Sequence, residues 1–181
     1  MPVYRACSNF SLPLSYASVG NGSSSHLTIE YLKLLTSTFA LHIPFNGAPP
    51  ALLSVASGDT QALFTVPTVI MPQVKAGRLK ALAVTGKTRY ALLRHVPTVA
   101  ESGVKELAAF EASAWNGILV AAGTPRDIVL RLNGEINKAF ADPAIRQRLQ
   151  AGGTPEAFAK LMADEAQKWA PIIKRTGARL D

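Results

Sequence analysis

The chain has one cysteine, Cys7, in 181 residues. That excludes a disulfide framework and a cysteine zinc site. Its three histidines, His26, His42 and His95, are too scattered for metal-ligand spacing. No apolar run approaches the ~20 residues of a membrane span. Internal repeats are absent, and so is low complexity beyond the GSSS of residues 22–25. Charged residues make up only 17% of the chain and hydrophobic ones 48%, which suits a packed core and rules out a disordered chain. The net charge is +7, but its basic residues run from Arg5 to Arg179. The densest groups are Lys75, Arg78 and Lys80, then Arg146 and Arg148, then Lys174, Arg175 and Arg179. None is interleaved with aromatics and no nucleic-acid recognition signature appears. A solvated basic surface of this kind attracts small anions. Residues 1–13 hold no strand, no helix start and no apolar core of signal-peptide length.

The organising stretch is YASVGNGSSSHLTIEYLKLL, Tyr16 to Leu35. It reads as a strand end at Tyr16, Ala17 and Ser18, a glycine-serine turn, and an amphipathic helix. Gly20 and Gly22 permit φ > 0 and a close approach to the backbone. Ser23, Ser24 and Ser25 are helix-capping residues. Leu27, Tyr31, Leu34 and Leu35 form the predicted apolar face, with Thr28, Glu30 and Lys33 mostly off it. A helix start with free N–H groups, hydroxyls and no acidic residue suits an anion, although a capped helix alone has the same signature. GNGSSSH lacks the lysine of a phosphate loop, and GxGxxG is not completed because residue 25 is Ser. No GxSxG occurs, and Ser23 and His26 are too close in sequence to represent a triad assembled from distant segments. His26 is read as a structural hydrogen-bonder. No nucleophile-base pair, paired acids or metal cluster is visible, so a non-enzymatic chain without cofactor is expected. An enzyme holding a phosphate or acyl group at the turn is the alternative from the residues alone.

Further along, strands are predicted near 39–44, 61–66 and 80–85, with helices between them. The first helix spans 51–56 and ends at Gly58; the second is capped by Thr68 and ends at Gly77. This alternation predicts a doubly wound α/β lobe with a mainly parallel sheet. A polar connector, 86–103, leads to a long extended run at 110–121. Thr124 should cap the next helix, with Pro125 in its first turn and Ile128, Leu132, Ile136 and Phe140 on one face. Asp142-Pro143 starts another helix that stops at Gly152-Gly153. Thr154-Pro155-Glu156 starts the last, which Pro171 should bend. Helices without strands fill the last third. By this reading the chain divides into an atypical segment at 1–13, an α/β lobe at 14–115, and a crossing strand with C-terminal helices at 116–181.

Several segments together resemble the solute receptors of tripartite tricarboxylate transporters (Bug-type, or TctC-like). They are YASVGNGSSSHL, IPFNGAPPALLSVASGD, MPQVKAGRLKALAVTGKTR, HVPTVAESG, FEASAWNGILVAAGTP, LNGEINKAFADPAIRQRL and TPEAFAKLMADEAQKWAPIIK. They run in family order from about Tyr16 to the end. The resemblance implies a periplasmic-binding-protein-like fold (type II): one complete doubly wound lobe, lobe two of the family, plus the helical remainder of lobe one. It implies capture of a small carboxylate in the periplasm for the membrane permease subunits of the transporter, with no nucleic-acid partner. The ligand-gripping loop of lobe two corresponds to Ser18, Gly20, Asn21, Gly22, Ser23, Ser24 and Ser25. Phe64 and Thr65, at a strand's carboxyl end, are second-tier cleft residues. Apolar residues at strand ends, such as Phe64 and Pro67, more often belong to a core, and Trp115 suits packing at the lobe junction.

The chain also departs from the family pattern. The signal peptide, the first strand and the other gripping loop have no counterpart, so a truncated form with weak or no binding, on the order of millimolar or worse, is expected; a non-catalytic truncated lobe without a transport role is the alternative. Where members commonly read VPYKG, this chain has Asn46 in place of the lysine. Where they read GQVDLMFD, it has Gln61 and Thr65 in place of the carboxylates, which removes an acidic partner for an amino-acid ligand. Leu149 reaches Thr154 through only four residues, QAGG, where members have a longer stretch. Helix faces built to cover a sheet imply self-association.

Overall fold

The computed structural model describes residues 14–143, 145 and 153–177. The atypical N-terminal segment and most of the helix expected after Asp142 lie outside the described residues, as do Cys7, Arg146, Arg148 and Arg179.

Among the described residues three parallel strands make the sheet, in the order β2-β1-β3, where β1 is Ser15–Ser18, β2 Leu41–Pro44 and β3 Ala62–Leu63. The central strand is the one inside the organising stretch. Tyr16 lies opposite His42 on one side and Ala62 on the other. A central parallel strand is covered on both faces, and Tyr16, Ala17 and Ser18 are each fully buried. Helix α1 (Ser24–Thr36) carries the chain from β1 to β2, and α2 (Ala48–Ser57) from β2 to β3. Gly58, at φ 89°, ends α2 in the left-handed conformation that only glycine adopts without strain. Helix α3 (Pro67–Lys75) follows. It begins one residue before the expected cap at Thr68, because Pro67 already has a helical φ and needs no N–H there.

Two expected strands do not form. At 80–85 the backbone makes a single parallel bridge, Val84 to Thr98. Over 110–121 no ladder forms among the described residues. An extended run becomes a strand only where a neighbour supplies the partner N–H and C=O groups, and these runs meet only isolated partners, such as Ala112 N–H on the Thr85 carbonyl at 3.0 Å. Conversely, the connector at 86–103 is a packed loop. Leu93, Val96 and Val99 are buried, and Arg89 grips the Glu101 carboxylate through Nε and Nη2. Glu101 also accepts the Thr98 N–H at 2.7 Å and returns its own N–H to Thr98 Oγ1 at 3.1 Å. That guanidinium and the Thr98 N–H hold the Glu101 carboxyl down at about 2.

The chain forms two compact units. The first holds the sheet, α1 to α3 and the packed loop, together with the segment from Ile172; the second is Trp115–Pro171. Within the second, helix α4 (Arg126–Phe140) lies against the head of α5 (Pro155–Thr176). Asn133 and Asn137 both donate to the Gly153 carbonyl, at 2.9 and 3.1 Å, and Arg126 pairs with Glu156 at 2.9 Å. Thr154 caps α5 by accepting the Ala157 N–H at 3.1 Å. Thr124 does not cap α4; Pro125 holds that position and the Thr124 hydroxyl donates to the Ala121 carbonyl at 2.7 Å. Helix α5 continues through Pro171. Trp115 packs edge-on to Phe158, 5.5 Å between centroids, and stays 41% exposed. Among the described residues no helix is long and apolar enough to cross a membrane.

Candidate functional site: the glycine-serine turn

The turn lies at the carboxyl edge of the parallel sheet, entirely within the first unit. It leaves β1 at Ser18 and enters α1 at Ser24. Gly20, at φ 131°, and Gly22, at φ 70°, give it a backbone path that other L residues would adopt only under strain. The adjacent edge is Phe45 to Gly47: Phe45 N–H donates to the Ser18 carbonyl at 3.0 Å.

Ser23 is the N-cap of α1, its hydroxyl accepting the His26 N–H at 3.3 Å and donating to the Gly20 carbonyl at 2.6 Å. Ser25 is buried and structural: its hydroxyl accepts the Val19 N–H at 2.9 Å and meets Ser23 Oγ at 2.9 Å. Ser18 is buried as well. Its Oγ accepts the Gly20 N–H at 3.2 Å and shares a 2.6 Å hydrogen bond with His42 Nε2. Asn21 and Ser24 are exposed; Gly20, Gly22 and Ser23 are half-buried.

The N–H groups divide sharply. Those of Gly22 and Ser23 are taken inside the turn, by His26 Nδ1 at 3.0 Å and the Gly20 carbonyl at 3.3 Å. Those of Ser24 and Ser25 head the helix with no acceptor among the described residues, as the first turn of a helix dictates. No acidic residue stands in that turn. Two backbone donors on the positive end of a helix dipole, beside an exposed Ser24 side chain, suit a carboxylate or another small anion. Phe64 packs against the core cluster of Tyr16, Ile29 and Ala40, while Thr65 is half-buried just beyond β3.

Behind the turn lies a polar cluster that the apolar periodicity of α1 does not reveal. His26 stacks on His42, 4.0 Å between centroids and 6° from parallel, and His42 stacks on Tyr16 at 4.9 Å. Tyr16 donates to Glu30 at 2.5 Å and Lys33 pairs with the same carboxylate at 2.6 Å. Burial of the ring is the main reason the Tyr16 hydroxyl is held well above its ordinary range, with Glu30 adding to it. Burial likewise lowers both histidines, His42 to about 4. The buried residues of α1 are accordingly Ser25, His26, Thr28 and Ile29, and the expected apolar face of Leu27, Tyr31, Leu34 and Leu35 is only half-buried. Among the described residues no group of three or more His, Cys, Asp or Glu side chains could hold a metal ion.

A sequence model described as the tripartite tricarboxylate transporter family receptor matches residues 8–178. It therefore begins earlier than the visible resemblance near Tyr16. A Pseudomonas sp. relative, the UPF0065 protein in the tcbD-tcbE intergenic region, is 37% identical over 166 residues, covering 88% of this chain and 49% of its own length. Protein BugT of Bordetella pertussis is 33% identical over 165 residues, again 88% of this chain and 50% of the relative. The chain thus spans about half the length of these curated relatives. Among solved structures, an R. palustris protein with adipate superimposes at a TM-score of 0.85 with 27% identity, covering 96% of this chain and 59% of that one. The periplasmic binding protein BugD superimposes at a TM-score of 0.79 with 30% identity, covering 92% of this chain and 57% of that one, so the periplasmic-binding-protein-like α/β fold implied by the sequence resemblance is the fold of this chain.

Proposed function

This chain belongs to the tripartite tricarboxylate transporter receptor family, and from that premise we propose that it takes part in capturing a small carboxylate, without catalysis, in the periplasm for the permease subunits of such a transporter. The observation that carries this reading is the pair of N–H groups of Ser24 and Ser25, without an acceptor among the described residues, at the head of α1 on the carboxyl edge of a parallel sheet. Adipate in the R. palustris neighbour supports a dicarboxylate as the class. In this reading one ligand carboxylate meets the Ser24 and Ser25 N–H groups and the Ser24 hydroxyl. Gly20, Asn21 and Gly22 shape the approach, Ser18, Ser23 and Ser25 fix the turn, and Thr65 borders it. Residues 14–115 act as the receptor's second lobe and 116–181 belong to its first.

Replacing Ser24 with Asp places a negative charge at this helix start. Calorimetric titration with adipate is expected to show affinity lower by about tenfold or more, the scale of one close like-charge contact at a partly exposed site. Equal affinity in the variant removes the turn from the site, and no adipate binding by the parent chain removes the proposal.

The partner surface is proposed from α4, where Ile128 and Leu132, one turn apart on the same face, are 45% and 44% exposed. Apolar patches of this kind associate. Sedimentation is expected to show concentration-dependent self-association of the purified chain, weakened when Ile128 and Leu132 are both replaced by Glu. A strict monomer at every concentration refutes it.

A further inference from the structure

The cluster behind the turn contains a histidine whose geometry ties the turn's shape to its protonation state. Gly22 N–H donates to His26 Nδ1 at 3.0 Å, so that nitrogen carries no proton and the ring's hydrogen sits on Nε2. The ring cannot swing away, because it is buried and lies flat on His42, which is itself backed by Tyr16. Protonating His26 puts a second donor against the Gly22 N–H. The contact then turns from a hydrogen bond into a donor-donor conflict, and Gly22 must leave. It also creates a cation stacked on a neighbouring imidazole.

We propose that His26 is the positioning residue of the glycine-serine turn: its neutral imidazole, braced by His42, holds the Gly22 N–H and so fixes the backbone entering α1, and protonation releases it. Among the described residues the groups facing the histidine pair are Tyr16 and Ser18 from β1, Glu30 and Lys33 from α1, and the two imidazoles themselves. Glu30 favours a charged His26, but its carboxylate already accepts from Tyr16 and Lys33, and Lys33 opposes that charge. Burial, with Lys33 acting in the same direction, outweighs Glu30 and keeps the ring neutral to below its ordinary value of 6.5. The consequence for ligands rests on the carboxylate reading above: acidification should loosen the turn and weaken binding, although the new positive charge by itself would strengthen it.

The test uses the full chain labelled with nitrogen-15. A scalar coupling across the N–H···N hydrogen bond between Gly22 and His26 Nδ1 is expected at neutral pH and should vanish as His26 protonates; its absence at neutral pH overturns the proposal. His26→Asn retains an uncharged acceptor near the Nδ1 position, and its Gly22 amide should stay protected across the acid range. His26→Phe keeps the stacked ring and loses the acceptor, and Gly22 exchange should quicken by about tenfold or more at every pH. If His26→Phe folds with Gly22 exchange unchanged, the proposal falls; if that variant does not fold, the coupling in the parent chain decides. Adipate titrations over the same range separate the two readings, with His26→Asn supplying the baseline for the ligand's own protonation. Adipate affinity that falls more steeply in the parent than in His26→Asn as pH drops supports the coupling to ligand. Affinity rising on acidification, or flat against that baseline, refutes it. A coupling that behaves as expected with no adipate binding at any pH upholds the positioning role and removes the carboxylate reading alone.

Discussion

Tyr16→Ala is expected to lower the unfolding free energy of the first unit by about 3–5 kcal/mol, the range for removing a large buried aromatic side chain. Against typical domain stabilities of about 5–15 kcal/mol, that is a large fraction. Tyr16 is fully buried on the central strand and forms the core cluster with Ile29 and Ala40. Its ring supports His42, and Lys33 Nζ lies 5.6 Å from its centroid. Its hydroxyl donates to Glu30, which also accepts from Lys33. Truncation therefore leaves a cavity and takes one donor from a half-buried carboxylate. Tyr16→Phe separates these effects: it keeps the ring and should cost about 1.5–3 kcal/mol, the scale of a hydrogen bond to a charged group. Urea unfolding of both variants is the measurement. Near-equal losses would show that the hydroxyl, not the packing, dominates.

The sequence made the helix-strand alternation legible because its punctuation is local. Gly58 as a C-terminal cap and Thr154 at the head of α5 each act through neighbours a few residues away. The runs at 80–85 and 110–121 were not legible as loops, since extended sequences look alike until the ladder partner is known. The face of α1 failed for another reason. Apolar periodicity selects Leu27, Tyr31 and Leu34, but the stripe that meets Tyr16 and His42 is His26, Ile29, Glu30 and Lys33. That stripe also recurs at helical spacing. Its polar members are accommodated because each finds a partner on β1, β2, the turn or its own helix; no buried side-chain N or O atom among the described residues lacks one. The glycine-serine turn was visible, but the assignment of its N–H groups was not. Gly22 and Ser23 are engaged through His26 and Gly20, contacts set by the tertiary position of one ring and the folding back of one carbonyl.

Acidification from about pH 6.5 to about 4 should destabilise the first unit by roughly 2 kcal/mol through His42. The ring's value is lowered from 6.5 to about 4, first by burial and then by His26 alongside it. Between those values the unfolded chain binds a proton that the folded chain refuses, so stability rises with pH across the window and falls as pH drops through it. Above the window both states are neutral and the full stability is present; below it both are protonated and the His42 loss has levelled off. The full shift would correspond to about 3.4 kcal/mol, reduced here because His42 is half-buried and solvent screens part of the effect. His26 is lowered too and acts in the same direction. The carboxylate effects lie mostly lower: Glu101, lowered to about 2, loses its contribution as pH falls from 4.5 through that value. A stability loss that is already large above pH 4.5 therefore belongs to the histidines. Urea midpoints at successive pH values should show it in the parent chain and a smaller loss in His42→Asn. A parent chain equally stable at pH 7 and pH 5 would mean that the stacked rings accept protons in the folded state as readily as in water.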